Sequence, residues 1–411
     1  MHRSITDPVG GIGGTHLFSL PVYARVQSVT VAKNHIRVIS ARHEGERKKP
    51  PFTRVRVFSG STTAGTAVTE KSALLPGDGE VYLISGGFVH LIREKMKPLP
   101  GTLLEWKRVK VRFYSSDFAP RGMGVYLTSK KLSDDPAVLN LGIYAEKGRV
   151  AVFWKGELNR YDNPTSSVRM RFFDPKTGAA LGNEQLFKQV TGSSAMGVPA
   201  FFSGKGKTYI VWHDADRIWF SPLTRLGRLT PHRVASRGLL AYFPADFQGL
   251  VHAGGDLSLC WLTWGKNRNQ VYKKHLRCKR MGPNGEHRGK VHQLTTRKSV
   301  PAGHKQFFEQ DLELTIADLN LTESAGGTLN VLVSLKDLSE RSFFPLGVYA
   351  YRLDAKGAPL GTSTRLVRVP RREYLDIHVR SVLGSGKSMH LLLEAWLPSV
   401  GSSFYEVPAS L

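Results

Sequence analysis

The sequence predicts an all-β protein built from repeated units. Six times along its 411 residues, an apolar strand, a polar loop and a second strand are followed by a turn that closes on glycine. The closing glycines lie 49 to 72 residues apart, at Gly65, Gly122, Gly178, Gly227, Gly285 and Gly357. A strand repeat of this length is typical of the blades of a β-propeller.

The repeat at 149–182 shows the pattern most clearly. Runs of β-forming residues at 150–154 and 168–173 flank a polar loop. The segment 174–178, with the sequence DPKTG, has the proline and glycine that favour a tight turn. We interpret the two runs as strands B and C of a four-stranded antiparallel blade. An inner strand A precedes them and a short outer strand D follows.

The last repeat, 373–411, is incomplete. It contains three candidate strands, at 376–382, 390–396 and 403–407. We expect the segment 15–24 to supply the fourth, because an open blade would leave an unpaired edge. The sequence therefore predicts one propeller over 15–411, most consistent with seven blades, with six or eight as alternatives, after a flexible leader at 1–14. The blade boundaries are expected near 23–80, 81–139, 140–195, 196–241, 242–305, 306–372, and 373–411 together with 15–24.

Two motifs resemble the tandem propeller repeats of bacterial surface and secreted proteins. The first motif is a dipeptide that ends in tryptophan on a B strand, and it occurs as Val211-Trp212 and as Cys260-Trp261. The second motif is the glycine-containing turn, which occurs at 174–178 and at 354–361. The resemblance covers most of the chain as a blade pattern and implies the fold. It implies no single function, because such repeats serve many roles. The chain departs from the pattern in its positive charge and in its long sixth blade.

The chain carries 58 basic and 33 acidic residues, for a formal charge of +25. Charge of this size attracts polyanions. The B–C and D–A loops share one face of a propeller, so basic loop residues should collect there. We expect this basic face to combine basic loop residues with two lysines of the basic run 273–280. Its predicted members are Arg47, Lys48, Lys49, Lys95, Lys97, Arg160, Lys266, Arg268, Lys273, Lys274, Arg297, Lys298, Lys305, Arg371 and Arg372.

Three functions are compatible with such a face. The favoured interpretation is a non-enzymatic binding or scaffold protein, without a cofactor, that engages an acidic protein surface or an anionic polysaccharide. The first alternative is a glycan-active hydrolase or lyase, with carboxylates near the starts of the inner strands at Asp246, Glu309, Asp311 and Asp376. The second is nucleic-acid binding through non-specific charge, although aromatic residues do not interleave with the basic ones.

Other patterns favour structural interpretations. Tryptophans end four B strands, and packing between blades is favoured over an aromatic cage for Trp154, Trp212, Trp261 and Trp396. His213, Asp214 and Asp216 fit a tight turn better than a metal site, and no zinc-ligand spacing appears. The sequence GSGKS at 384–388 resembles the end of a phosphate-binding loop, but a strand follows it where a helix is required.

The two cysteines are informative about the redox state of the cellular compartment in which the protein acts. Cys260 and Cys278 fall on strands B and C of the fifth blade, where they are nearly opposite. A cross-strand disulfide there would indicate an oxidising compartment, whereas a slip of one residue would put them on opposite faces. The first 14 residues contain no apolar signal region. We expect the protein to be exported by means of a signal peptide that this chain does not include. A cytoplasmic location is the alternative. No apolar run is long enough for a transmembrane helix.

Overall fold

The protein is a ring of seven β-sheets. The computed structural model describes the chain outside residues 1–10, 23, 33–34, 45–51, 62–67, 96–106, 128–136, 147, 159–164, 192–198, 215–216, 224–228, 237–238, 241–246, 267–271, 295–313, 325–326, 338–343, 371–374, 384–388 and 411. The described residues form strands and turns, and among them no helix is long and apolar enough to cross a membrane.

Each sheet is one blade of antiparallel strands in the spatial order A-B-C-D. Blade 1 contains β2 (Arg25–Ala32), β3 (His35–Glu44), β4 (Phe52–Ser61) and β5 (Thr69–Pro76). Blade 2 contains β6 (Gly79–Ile84), β7 (Gly87–Lys95), β8 (Lys107–Ser115) and β9 (Pro120–Tyr126). Blade 3 contains β10 (Ala137–Glu146), β11 (Arg149–Leu158), β12 (Thr165–Phe173) and β13 (Gln185–Thr191). Blade 4 contains β14 (Ala200–Gly204), β15 (Lys207–Asp214), β16 (Arg217–Pro222) and β17 (His232–Ser236).

The remaining blades vary this plan. In blade 5 the inner strand is split into β18 (Leu239–Leu240) and β19 (Phe247–Val251), which both pair with β20 (Leu257–Lys266). The outer strands of that blade are β21 (Tyr272–Met281) and β22 (His292–Gln293). Blade 6 contains β23 (Leu314–Glu323), β24 (Leu329–Asp337), β25 (Phe344–Leu353) and β26 (Thr364–Val367). Blade 7 contains β27 (Asp376–Leu383), β28 (Met389–Leu397), β29 (Gly401–Ala409) and β1 (Thr15–Leu20).

The inner strands line a central channel. β2 contacts β6 on one side and β27 on the other, so blade 7 meets blade 1 and the ring is closed. Because every blade has the same antiparallel order, all inner strands run in the same direction and begin at the same face. We call this face the entrance face.

The N-terminal strand completes the ring, as the sequence predicts. β1 pairs antiparallel with β29, from Thr15 opposite Glu406 to Leu20 opposite Ser402. Its Phe18 stacks on Phe58 of blade 1 at 4.1 Å between ring centres, and on Phe404 of blade 7 at 4.6 Å. The added strand therefore covers an open edge and joins the first blade to the last.

The last part of the expected leader, residues 11–14, lies next to blades 6 and 7. Ile12 is only 2% exposed and joins the apolar core between blades 6 and 7, which includes Val369 and Ala409. Burial of this side chain fixes the segment before β1. Residues 1–10 lie outside the described residues.

The core lies between neighbouring blades. One cluster joins Val111 and Phe113 of blade 2 to Val152 and Trp154 of blade 3. Trp154 and Trp261 are buried, and Trp212 is buried with its ring edge-on to Phe187. These three tryptophans therefore pack between neighbouring sheets, as the sequence predicts.

The turn that closes the repeat is stabilised by the same hydrogen bond in blades 3 and 6. The carboxylates of Asp174 and Asp354 each accept a hydrogen bond from the backbone N–H two residues later, at 2.8 Å. Gly178 and Gly357 close these turns with φ of 73° and 82°, a conformation that favours glycine. Backbone hydrogen bonds hold the pKa of both carboxyl groups below its usual range.

Cys260 and Cys278 lie directly opposite each other on β20 and β21. Their sulfur atoms form a disulfide that closes a sequence separation of 18 residues. Both residues are buried in the core between blades 5 and 6. The bond therefore fixes the register of the two central strands of blade 5.

Replacing Phe18 with alanine should lower the free energy of unfolding by about 3 to 5 kcal/mol, because a buried aromatic contact with two blades is lost. Urea unfolding followed by circular dichroism measures this change. The control is Met123→Ala, which removes a side chain that is 88% exposed. A loss below about 1 kcal/mol for Phe18→Ala would contradict the role of β1 as the closing strand.

Reduction of the disulfide should lower the free energy of unfolding by about 3 kcal/mol, because the open chain gains conformational freedom in the unfolded state. Unfolding with and without reductant measures the effect, and alkylation before reduction should label neither cysteine. The double variant C260S/C278S is the control and should not respond to reductant. Two labelled thiols in the unreduced protein would contradict the pairing.

Candidate functional site

Most of the predicted basic face lies outside the described residues. This is the case for Arg47, Lys48, Lys49, Lys97, Arg160, Arg268, Arg297, Lys298, Lys305, Arg371 and Arg372. Lys95 and Lys266 end β7 and β20, and Lys273 and Lys274 lie near the start of β21, but their side chains also lie outside the description. The structure therefore brings no such face together from the residues it describes.

Several other basic side chains connect neighbouring blades. Arg121 of blade 2 donates to the Pro175 carbonyl of blade 3 at 2.8 Å. Arg171 of blade 3 donates to the Tyr126 carbonyl of blade 2 at 2.9 Å, and Lys279 of blade 5 donates to a carbonyl of blade 4 at 2.7 Å. Part of the positive charge therefore stabilises the ring.

One of the predicted carboxylates reaches the entrance face. Asp376 is the first residue of β27, and it forms an ion pair with Lys336 of blade 6. Asp246, Glu309 and Asp311 lie outside the described residues.

Blade 7 places a polar cluster next to Asp376. Along β27, Ile377 and Val379 enter the core with blade 6, while His378 lies on the opposite face of the strand. His378 is directly opposite Glu394 of β28. Alternation along a strand separates the core-facing residues from the polar ones.

The carboxylate of Glu394 orients Arg380, the next basic residue of the cluster. Arg380 donates through Nε to Glu394 Oε2 at 2.5 Å, and Ser402 donates through Oγ to Glu394 Oε1 at 2.5 Å. Glu394 is 4% exposed. This buried carboxylate therefore fixes the guanidinium of Arg380, whose side chain keeps 31% exposure.

His378 is neutral in this environment. Burial lowers its pKa, the nearby charges of Arg380 and Lys336 lower it further, and together they bring it to about 3. Desolvation and like charge both disfavour the imidazolium form. The ring is therefore an uncharged proton acceptor between two cations at neutral pH.

Blade 2 carries a second polar cluster near the same face. Glu80 is the second residue of β6, and its carboxylate accepts hydrogen bonds from Tyr82 at 2.6 Å and from Arg93 at 2.7 Å. Burial, with the charge of Glu80, raises the pKa of the Tyr82 phenol. Tyr82 therefore stays protonated.

The two polar clusters lie on blades 7 and 2, on either side of blade 1, and we call these two clusters the polar arc. On the inner strands of blades 3 to 5, half-buried apolar side chains pack against the cores between blades, and these include Leu141, Ile143, Tyr144, Phe201, Phe202 and Leu250.

The sequence carries a local signal for the polar arc. The segment 376–380 reads D-I-H-V-R, which alternates polar and apolar residues on a predicted inner strand. The predicted site residues include Asp376 of this segment, but not His378 or Arg380. The contribution of Lys336 has no local signal, because it comes from the neighbouring blade.

Metal-binding and nucleotide-binding patterns gain no support. The described residues contain no group of three or more His, Cys, Asp or Glu side chains placed to hold a metal. His213 is buried on β15, whereas the side chain of Asp214 and all of Asp216 lie outside the description, as do residues 384–388.

Comparisons with known proteins support the fold. No protein-family model matches the sequence, and no curated protein is significantly similar to it. The crystal structure of polysaccharide lyase Uly1 superposes with a TM-score of 0.51 at 10% identity, over 98% of this chain and 94% of that chain. The resemblance to bacterial surface repeats stays a prediction, while the seven-bladed fold is confirmed.

Two further structures have lower scores. An α-L-arabinanase of Penicillium chrysogenum bound to arabinobiose gives a TM-score of 0.44 at 10% identity, over 96% of this chain and 98% of that one. The β-propeller domain of the Trilobed protease from Pyrococcus furiosus gives 0.42 at 7% identity, over 95% and 96%.

These findings correct the favoured functional interpretation. The non-enzymatic scaffold with a basic binding face is wrong as the leading function, because the propeller with the TM-score of 0.51 is a polysaccharide lyase. The physical reason for the error is that net charge alone does not distinguish a binding surface from basic residues that connect blades or line a channel.

The free energy of unfolding should fall as the pH drops from about 6.5 toward 3. Below pH 6.5 the unfolded chain protonates its histidine, whereas folded His378, with its pKa near 3, stays neutral. His378→Gln should therefore show a weaker pH dependence than the unmodified protein. Urea unfolding between pH 7 and pH 4 measures both slopes.

The control for this measurement is Met123→Ala, which removes an exposed side chain that does not titrate. It should keep the slope of the unmodified protein. If the profile of His378→Gln superimposes on that of the unmodified protein, His378 is not held neutral.

Proposed function

We propose that this protein cleaves an acidic polysaccharide by β-elimination, at the polar arc on the entrance face. The observation that carries the proposal is the neutral His378 between the cations Arg380 and Lys336. Cleavage next to a uronate carboxylate requires a base and a positive charge in the same place. The polar arc contains both.

The chemistry uses these groups in one sequence. His378 accepts the proton from the carbon next to the substrate carboxylate, and the electron pair of that C–H bond forms a C=C bond to the neighbouring carbon. The glycosidic oxygen leaves that carbon with the electrons of its C–O bond and takes up a proton. Negative charge develops on the substrate carboxylate, where Arg380 and Lys336 stabilise it.

Glu394 is a positioning residue in this arrangement. It accepts a hydrogen bond from the Nε–H of Arg380, so the two terminal nitrogens of the guanidinium can donate to a substrate carboxylate. Since Ser402 also donates to Glu394, the carboxylate is fixed on both oxygens. The guanidinium is therefore oriented before substrate arrives.

Substrate binding makes His378 a stronger base. The charges of Arg380 and Lys336 contribute to the low pKa of its ring. A bound carboxylate compensates these charges and raises the pKa. A sugar chain that spans from blade 7 toward blade 2 also meets the protonated phenol of Tyr82, a proton donor for the leaving oxygen.

Two further observations support an acidic glycan as substrate. The net charge of +25 favours the approach of a polyanion. The fold is similar to that of a polysaccharide lyase. We also propose that the protein acts in an oxidising compartment, which the Cys260–Cys278 disulfide supports.

Hydrolysis is the second candidate. Glu80 and Asp376 place two carboxylates at the entrance face, as a glycoside hydrolase requires. Each is already paired with a basic residue, Arg93 or Lys336. A hydrolase needs one carboxyl group that stays protonated, and ion pairing favours the ionised form. Elimination therefore fits the arrangement better.

The full chain should cleave at least one uronate-containing polysaccharide from a panel of polygalacturonate, alginate and a glucuronate-containing glycosaminoglycan. Ultraviolet absorbance measures the new C=C bond conjugated to the carboxylate, and a reducing-end assay counts the breaks. His378→Ala should lower kcat/KM by about 10²- to 10⁴-fold, the usual effect of losing a general base. Arg380→Lys should lose bidentate contact with the substrate carboxylate and raise KM.

The matched control is His232→Gln, which should keep full activity. New reducing ends without new ultraviolet absorbance would show that the glycosidic bond is hydrolysed and would contradict elimination. No cleavage of any acidic polysaccharide, or full activity of His378→Ala, would contradict the proposed function.

A further inference from the structure

A separate cluster of basic side chains, which shares no residue with the polar arc, lies in the interface between blades 1 and 2. The interface there is mostly apolar and contains Val55, Val57, Leu75, Val81, Phe88 and Tyr114. His90 of β7 lies in this interface, directly opposite Val81 on one side and Arg112 of β8 on the other. Arg37 of β3 reaches it from blade 1, with its guanidinium carbon 5.4 Å from the centre of the Phe88 ring.

These three residues have polar atoms without hydrogen-bond partners. His90 is 0% exposed, and neither of its ring nitrogens has a partner among the described residues. The Nε atoms of Arg37 and Arg112 are also buried without one. The Tyr114 hydroxyl in the same interface is a fifth such atom. Buried polar groups are nearly always hydrogen-bonded, so five atoms of this kind in one interface require an explanation.

The cluster also has no counter-charge among the described residues. The carboxylate of Asp117, next to Phe118 that stacks on Phe88, is exposed and pairs with Lys71. No carboxylate among the described side chains therefore forms an ion pair with Arg37 or Arg112. Buried or partly buried charges in folded proteins are normally paired.

The three residues differ in burial. Arg37 and Arg112 are half-buried, while His90 is fully buried. The imidazole is therefore the most deeply buried of the three.

We propose that a small inorganic oxyanion, of the sulfate or phosphate class, binds between blades 1 and 2 and is held by Arg37, His90 and Arg112. Guanidinium groups match the oxygen geometry of such anions, and a neutral imidazole donates one N–H. The anion supplies partners for the donors and offsets the two positive charges. A water molecule supplies a hydrogen bond but no charge.

The electrostatics of His90 agree with this geometry. Burial lowers its pKa, the charge of Arg112 lowers it further, and together they bring it to about 4. A bound anion next to the ring favours the imidazolium form and raises this pKa. The proposal does not depend on the proposed cleavage of a polysaccharide, because it concerns a different interface.

Isothermal titration calorimetry of the full chain with sodium sulfate tests the site, with sodium chloride at matched ionic strength as the reference. We expect saturable binding of one sulfate per chain. Arg112→Gln should weaken it at least 10-fold. Arg352→Gln is the matched control, since it removes an exposed arginine on the C strand of blade 6 and the same unit of charge.

Nuclear magnetic resonance of the unmodified protein gives a second measurement that does not depend on how a variant folds. The pKa of the His90 ring should rise when sulfate is saturating, whereas chloride should leave it near 4. Absence of saturable binding, binding by Arg112→Gln as tight as by the unmodified protein, an unchanged His90 titration, or an equal response to chloride would each overturn the proposal.

Discussion

The pairing of β1 with β29 is the constraint on which the rest of the structure depends. The last blade has three strands from the C-terminal part of the chain and obtains its fourth, β1, from the other end of the chain. Phe18 then packs against the first and the last blade together. Closure brings β27 against β2, and so places blades 7 and 2 on either side of blade 1 with their inner strands beginning at one face.

The basic residues of this ring have more than one role. Arg121, Arg171 and Lys279 donate to backbone carbonyls of adjacent blades, where they stabilise the ring. Arg380 is held by a buried carboxylate at the channel. Arg112 lies in the interface between blades 1 and 2, where the described residues supply no counter-charge. Net charge therefore gives a preference for anions, while the position of each residue between blades determines what it does.

The sequence predicts the fold well because blades repeat the same local chemistry. Turns such as 174–178 need an aspartate, a following N–H and a glycine at positive φ, and these features are visible without a structure. The candidate site is less visible. His378 and Arg380 stand on a recognisable strand, but Glu394 and Ser402 come from other strands and Lys336 from another blade. Contacts across blades depend on register and closure, which a single sequence does not specify.

The central claim is that the polar arc cleaves a glycan by elimination, and the origin of the oxygen atoms in the products tests it most directly. Elimination adds no water to the broken bond, whereas hydrolysis adds one. The cleavage is carried out in H₂¹⁸O and the fragments are weighed by mass spectrometry immediately after the reaction. We predict fragments whose masses sum to that of the intact glycan, with no ¹⁸O in the cleaved linkage. One ¹⁸O for each cleaved bond, or an uncleaved glycan, would contradict the claim.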